Sequence, residues 1–105
     1  MPHNTRRPLP MRRHSETSNL DFGGLAGGYT LTIGFYADNT PGEIFLSGAK
    51  SGQQLEAGAR DGAILVSLAL QHGVEATTIA HAITRDERGE PLSVIGAAID
   101  RLLEK

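Results

Sequence analysis

The sequence predicts a single α+β domain, in which a three-stranded antiparallel β-meander is followed by three α-helices packed on one face of the sheet. Three observations support this class. Residues 29–36 alternate apolar and polar side chains with a period of two, which is typical of a half-buried strand. Residues 53–72 carry apolar side chains at helical spacing, and residues 91–104 do so again. Because the strands precede all of the helices, the order favours an antiparallel sheet.

Two flanking segments complete the predicted meander. Residues 15–22 form a weak strand, because their polar side chains suit an edge better than the centre of a sheet. Residues 43–47 form the third strand, and the loop at 37–41 contains the Asp, Asn and Pro typical of a hairpin turn. Since a three-stranded sheet is small, its edge strands are expected to pair with a second copy. The apolar face of the central strand comprises Tyr29, Leu31, Ile33 and Phe35.

The main helix, residues 53–72, is expected to be central and covered on most sides, because residues 63–70 contain almost no polar side chain. Gly58 and Gly62 each lower helix stability by about 1 kcal/mol relative to Ala. Their spacing of four suggests that another backbone packs closely there. Gly73 is expected to end the helix. The apolar face comprises Leu55, Ala59, Ala63, Val66 and Leu70, widened by Ile64, Leu65 and Leu68.

Two shorter helices close the predicted domain. Residues 74–83 form a short helix, and residues 84–90 form a charged, exposed loop. Pro91 begins the last helix, since proline is favoured in the first turn of a helix, and this helix runs to about residue 104. Its apolar stripe comprises Leu92, Ile95, Ile99, Leu102 and Leu103.

The composition excludes several classes of site. The chain of 105 residues contains no cysteine, which excludes disulfides, thiolate metal sites and thiol redox chemistry. No apolar run approaches the roughly 20 residues that a membrane-spanning helix needs, and the N-terminus lacks the apolar core of a signal peptide. We therefore expect a cytoplasmic protein with no membrane association, no bound metal and no other cofactor.

The charge is divided between a basic arm and an acidic body. Residues 1–14 contain four arginines and no acidic residue, whereas the rest of the chain contains six basic and twelve acidic residues, for a net charge of −2. Three prolines and the lack of an apolar period predict that residues 1–14 are a disordered arm and residues 15–105 the folded domain. The arm either binds nucleic acid or an acidic partner, or is only a solvated tail. Its basic residues are Arg6, Arg7, Arg12 and Arg13.

The turn before the main helix is a candidate anion site. Lys50, Ser51 and Gly52 precede the predicted helix, where free backbone amides and the positive end of the helix dipole favour an anion. The spacing does not fit a P-loop, and an ordinary strand-to-helix turn with Ser51 as the helix cap explains the same residues. No catalytic arrangement is evident, because His72 and His81 are single imidazoles without an expected partner.

Residues 66–83 are similar to a helix-turn-helix in their spacing. Ala69, Gly73, Ile79 and Ala82 fit the packing positions of that motif. The exposed residues of its second helix would be acidic or neutral, which opposes the approach of phosphate groups. A tight helical corner is therefore the preferred interpretation. A small DNA-binding regulator that uses this corner and the arginine arm is the alternative.

Three segments form a patterned strand, turn and helix end: Glu43-Ile-Phe-Leu, Gly48-Ala-Lys-Ser-Gly52 and Ser67-Leu-Ala-Leu-Gln-His-Gly-Val74. Together they resemble the TSCPD domain, found at the C-terminus of adenosylcobalamin-dependent (class II) ribonucleotide reductases and in short free-standing proteins. The resemblance runs from about residue 29 to residue 103. The Thr-Ser-Cys-Pro-Asp signature that names the family is absent, since residues 89–96 contain no cysteine.

The resemblance implies a small domain without the catalytic barrel, radical cysteine and cobalamin site of the reductase. We therefore expect a non-catalytic binding or regulatory module whose partner is a ribonucleotide reductase, a nucleotide or a nucleic acid; an enzyme is the least supported reading. A homodimer is also expected. Three short strands and an apolar helix leave more hydrophobic surface than a small monomer usually buries.

Overall fold

The computed structural model describes residues 5–23, 28–48 and 56–104, where three antiparallel strands are followed by three helices. The predicted α+β class is therefore confirmed. The strands are β1 (Ser15–Asp21), β2 (Gly28–Phe35) and β3 (Pro41–Gly48). The helices are α1 (Ala57–Gln71), α2 (Ala76–Ala82) and α3 (Val94–Leu102). Among the described residues, none of the helices combines the length and the apolarity that crossing a membrane requires.

The strands form one sheet in the order β1-β2-β3, and both strand pairs are antiparallel. The period-two pattern of the central strand separates its two faces. Leu31 and Ile33 are buried and belong to the core. Thr32 lies between them on the opposite face, where its hydroxyl is 3.0 Å from the hydroxyl of Thr17 in β1. One face of the sheet is therefore apolar and the other largely polar.

The core lies between the apolar face of the sheet and the three helices. Its largest fully buried side chains are Leu31, Ile44 and Ile99, which come from β2, β3 and α3. Full burial of a side chain of this size stabilises the fold by about 1.5–3 kcal/mol. Helix α1 contributes Ala63, Val66 and Leu70 to the same cluster. The prediction that the helices pack on one face of the sheet is confirmed.

Helix α1 begins later than the sequence pattern predicts. Its first residue is Ala57, and Glu56 occupies the N-cap position without a side-chain cap, whereas the pattern predicts a start at residue 53. The predicted cap at Ser51 lies outside the described residues. Packing explains the later start. The first side chain of the helix that packs against the core is that of Ala59, and a helix end without tertiary contacts gains little stability.

Helix α1 is covered on one side only, which corrects the expectation that it is central. The side chain of Ile64 is 51% exposed and that of Leu65 is 66% exposed, and Leu68 is half-buried. A continuous apolar run predicts helix burial only if other elements exist to cover both sides. In the described part of the domain the sheet and α3 cover the inner side of α1, and no further element covers the outer side.

Helix α3 packs beside α1 at a point where α1 lacks a side chain. A β-carbon at Gly62 would lie 2.6 Å from Cγ1 of Ile95, whereas one at Gly58 would meet no described atom within 4 Å. The close approach at Gly62 therefore involves a side chain and not the predicted backbone. Helix α3 itself begins after Ser93, whose hydroxyl accepts a hydrogen bond of 3.0 Å from the first turn, and not at the preceding proline.

Residues 5–14 lie against the body, although their composition predicts a disordered arm. The backbone N–H of Arg7 donates to the carbonyl of Gln71 at the end of α1 (2.8 Å), and that of Phe35 donates to the carbonyl of His14 (2.9 Å). The hydroxyl of Tyr36 also donates to the carbonyl of Arg7 (2.7 Å). The segment is held by polar and charged partners on the acidic body, which composition alone does not reveal.

Candidate functional site

A groove runs between strand β3 and helix α1, and we call it the β3–α1 groove. Ser67 of α1 fixes the spacing of its two sides. Its hydroxyl accepts a hydrogen bond from the backbone N–H of Ile44 (2.9 Å) and donates either to the carbonyl of Ala63 (2.9 Å) or to that of Ile44 (3.2 Å). The groove has a volume of about 300 Å³, which lies at the lower end of the range for small-ligand sites.

The walls of the groove are mostly apolar, with basic groups beside them. Ile64 lines it and is 51% exposed. Phe45 borders the groove only along the edge of β3, because it pairs with Thr32 of β2 and its side chain therefore lies on the opposite face of the sheet. Leu68 extends the apolar wall along α1, and Arg6 and Arg60 also belong to the lining. The groove therefore presents aliphatic side chains and guanidinium groups to the same volume. Such a surface suits a ligand that has both an apolar part and an anionic part.

Gln71 fixes the polar part of the groove. Its side chain is buried, its Nε2 donates to the carbonyl of Gly42 (2.8 Å), and its Oε1 accepts a hydrogen bond from Nε of Arg6. The guanidinium of Arg6 is thus held by a neutral amide. Among the described residues, Arg6 forms no ion pair with a carboxylate. Its positive charge is therefore available to an anion in the groove.

Glu43 lies next to the groove and anchors the N-terminal segment. The residue is 8% exposed, and its Oε2 is 2.5 Å from Nε of Arg13. Gly34 is its partner in β2, and the carboxylate fills the space that a side chain at Gly34 would need. Arg13 also donates to the carbonyl of Pro10 (2.5 Å). Glu43 is therefore a buried carboxylate on the edge strand β3, and Arg13 covers it.

Arg7 is held by a second acidic site on the body. Its guanidinium carbon lies 3.8 Å from the centre of the Tyr36 ring, and its Nη2 lies 3.5 Å from Oδ2 of Asp38. Burial raises the pKa of the Tyr36 phenol, although the charge of Arg7 opposes this shift. Hydrogen bonds from the hydroxyl and then the N–H of Thr40 lower the pKa of the Asp38 carboxyl. The carboxylate is therefore ionised opposite Arg7 at neutral pH.

The four arginines predicted to form a nucleic-acid or partner site differ in their environments. Arg7 and Arg13 contact carboxylates, whereas Arg6 contacts an amide. Arg12 is exposed and has no ion pair in the part of the chain that the structure describes. Two of the four positive charges are thus neutralised by the body, which weakens the electrostatic attraction of the segment for phosphate groups.

The predicted anion site at Lys50, Ser51 and Gly52 lies outside the described residues and stays a prediction. In the sequence these residues connect β3 to α1, the two elements that form the groove. Within residues 5–23, 28–48 and 56–104, no group of three or more His, Asp or Glu side chains is arranged to hold a metal ion.

The corner that is similar to a helix-turn-helix lies between α1 and α2. Helix α1 ends at Gln71 with His72 as its C-cap, and Gly73 follows with a φ of +89°, so the predicted helix end is confirmed. Helix α2 has seven residues and follows the acidic Glu75 at its N-cap. Its exposed side chains include Thr77, Thr78 and His81. No arginine or lysine lies within this short helix, which does not favour its entry into a DNA groove.

Sequence reasoning does not identify Ser67 and Gln71 as residues that organise the groove. A signal is nevertheless present. They are the two polar side chains between residues 63 and 71, and they lie four positions apart. Residues at this spacing share one side of a helix. Two polar side chains on one side of an otherwise apolar helix indicate a partner with unpaired backbone groups, and here that partner is the edge strand β3.

One family comparison covers nearly the whole chain. A protein-family model described as the TSCPD domain matches residues 3–105. The match includes the arginine segment that packs on the body. Comparisons with curated proteins and with solved structures give no significant match.

Proposed function

The chain belongs to the TSCPD domain family, and from this premise we propose that it is a non-catalytic binding module whose ligand occupies the β3–α1 groove. One observation carries the proposal. Arg6 places a positive charge without a carboxylate partner, among the described residues, beside a groove that the aliphatic side chains of Ile64 and Leu68 line. A buried amide, that of Gln71, holds this charge in position.

A nucleotide is the ligand class that this chemistry fits. The flat face of a base packs against an aliphatic wall, and bases also stack on the planes of arginine guanidinium groups. The phosphate groups would accept charge-assisted hydrogen bonds from Arg6, whose planar guanidinium suits phosphate geometry. Arg60 lines the same groove. The segment with Lys50 follows β3 in the sequence and is a further candidate for phosphate contact.

A regulatory role follows from the proposed ligand. A module that binds a nucleotide and has no chemistry of its own acts by changing its affinity for a partner. The resemblance to the C-terminal domain of class II ribonucleotide reductases makes such a reductase the candidate partner. In this proposal, the nucleotide in the groove changes the affinity of the module for the reductase.

The nucleotide proposal is tested by titrating the protein with ATP and, separately, with dATP while the amide resonances of β3 and α1 are followed by NMR. We expect saturable shifts around the groove. Arg6→Ala should raise the dissociation constant by about tenfold, because a hydrogen bond to a charged group contributes about 1.5–3 kcal/mol. Arg88→Ala is the matched control, since Arg88 is exposed in the loop after α2 and does not line the groove.

Two results would contradict the proposed function. The first is the absence of shifts at millimolar nucleotide, or equal affinity of the parent and Arg6→Ala. The second is conversion of the nucleotide during the titration, which phosphorus NMR detects and which would indicate catalysis. Duplex DNA in the same experiment distinguishes the alternative, because DNA binding through the corner would shift the resonances of α2, which a nucleotide in the groove would leave unchanged.

A further inference from the structure

The outer side of helix α1 carries an apolar stripe that no described element covers. Leu65 is 66% exposed, and Leu68 is half-buried beside it. Ile64 flanks the stripe and is 51% exposed. The core-facing residues of the helix, such as Val66 and Leu70, lie on the opposite side. Contiguous exposed aliphatic side chains of this kind mark an interaction surface on a small domain.

The stripe has the spacing of a coiled-coil seam. Asp61, Leu65, Leu68 and His72 follow one another at intervals of four, three and four residues, which is the a/d pattern of two packed helices. We infer that α1 packs antiparallel against α1 of a second copy of this chain and so forms a homodimer with a twofold axis at the middle of the stripe. The inference does not depend on the ligand proposed for the groove.

The order of residues in the stripe identifies a second copy as the occupant. In an antiparallel pair, Leu65 lies level with the partner's Leu68, and Asp61 lies level with the partner's His72. Leucine therefore meets leucine in the middle, and a carboxylate meets an imidazole at both ends. A twofold interface requires such self-complementarity, because one surface must fit a rotated copy of itself. The antiparallel arrangement also sets opposite ends of the two helix dipoles side by side.

The hydrogen bonding of His72 is compatible with a contact between its ring and the partner's Asp61. Its Nδ1 lies 2.8 Å from the carbonyl oxygen of Leu68. Since a carbonyl only accepts, Nδ1 carries a proton in this contact. The other ring nitrogen, Nε2, is then the one that the partner's Asp61 would meet, and a protonated ring would donate to that carboxylate.

The sheet edges are less suited to pairing with a second copy than the sequence predicts. On β3, the hydroxyl of Ser67 already binds the backbone N–H of Ile44. On β1, Nη1 of Arg101 donates to the carbonyl of Asn19 (3.1 Å). Helix side chains thus occupy backbone groups of both edge strands, and strand pairing at these points would have to displace them. Among the described elements, none occupies the stripe on α1.

The dimer is tested by sedimentation velocity on the full chain at tens of micromolar. We expect the parent to sediment as a dimer and Leu65→Glu to raise the dissociation constant by about tenfold or more, because the interface would then have to bury an unpaired carboxylate. Leu92→Glu is the matched control, because Leu92 is 57% exposed but lies outside the stripe. Leu65 does not line the groove, so nucleotide binding by Leu65→Glu separates this inference from the proposed function.

A charge exchange tests the antiparallel register. Asp61→Lys should weaken the dimer, and adding His72→Glu to it should restore most of the affinity, because the introduced carboxylate then faces the introduced lysine across the interface. Circular dichroism confirms that each variant is folded. A monomeric parent at tens of micromolar, or Leu65→Glu that dimerises as the parent does, would overturn the inference. Failure of the double variant to regain affinity would overturn the register.

Discussion

At the scale of single residues, Gln71 connects three parts of the chain through one buried amide. Its Nε2 donates to the carbonyl of Gly42 in β3, and its Oε1 accepts from Arg6 in the N-terminal segment. Its backbone carbonyl accepts from the N–H of Arg7. A glutamine amide offers both donors and an acceptor, so this one residue can bind a carbonyl and a guanidinium together.

We expect Gln71→Leu to lower the free energy of unfolding by about 1–3 kcal/mol, because the buried carbonyl of Gly42 would lose its donor while the side-chain volume is nearly kept. Urea denaturation measures the change. Thr77→Val, at an exposed position of α2, is the control and should stay within about 0.5 kcal/mol of the parent. Equal stability of the two variants would show that the amide does not hold the segment to β3.

Arg13 and Arg12 are neighbours in the chain but occupy different environments. Arg13 covers the buried carboxylate of Glu43, whereas Arg12 is exposed. We expect Arg13→Ala to destabilise the fold by about 3 kcal/mol, because it leaves Glu43 buried and charged without a partner. Arg12→Ala should change stability by less than about 0.5 kcal/mol. Adding Glu43→Gln to Arg13→Ala should recover part of the loss in a urea melt, and no recovery would argue against the ion pair.

At the scale of elements, Arg85 holds α2 and α3 together. Its Nη2 and Nη1 bind the two oxygens of Asp100 in α3, at 2.7 and 3.0 Å. The same guanidinium donates to the carbonyl of Ala80 in α2 (3.0 Å) and to that of Gly89 in the intervening loop (2.9 Å). The planar fork of an arginine suits this set of acceptors, and the single ammonium of a lysine would not replace it.

The Arg85–Asp100 pair predicts a dependence of stability on pH. The hydrogen bond from Arg85 lowers the pKa of the Asp100 carboxyl. Because the folded pKa lies below the unfolded value of about 3.9, the pair stabilises the fold fully above that value. The contribution is lost as the pH falls through the folded pKa. Asp100→Asn should therefore cost about 1 kcal/mol at neutral pH, a modest value because the pair is partly exposed.

Below about pH 4, the difference between Asp100→Asn and the parent should shrink, since the parent then loses its carboxylate as well. Urea midpoints measured across the acid range test this expectation. Glu87→Gln, which changes an exposed carboxylate in the loop between α2 and α3, serves as the control. A difference that is independent of pH would mean that the variant acts through packing and not through the ion pair.

At the scale of the whole molecule, sequence pattern predicts the elements and their order but not which surfaces are covered. The period of two in β2 is sufficient to identify a strand, because successive side chains of a strand point to opposite faces of the sheet. The apolar run of α1 predicted a helix correctly, yet Leu65 is exposed, since coverage depends on how many other elements surround the helix. The path of residues 5–14 depends on pairs such as Arg13 with Glu43, which are distant in sequence.

The candidate site is less predictable than the fold, because it depends on contacts between residues that are distant in sequence. The groove depends on Ser67 and Gln71 meeting backbone groups of β3, and on Arg6 meeting Gln71. These contacts join residues of different elements, so no local pattern encodes them. The family resemblance, by contrast, needed only local patterns, and the match over residues 3–105 confirmed it.

The position of Glu43 above Gly34 has a consequence for how relatives of this chain can diverge. A β-carbon at position 34 would occupy the space of the Glu43 carboxylate. A relative with any larger residue there should therefore carry a shorter side chain at position 43. Position 13 would then lose the carboxylate that holds its arginine. Across an alignment, these three positions should change together, although two of them are separated from the third by more than a strand.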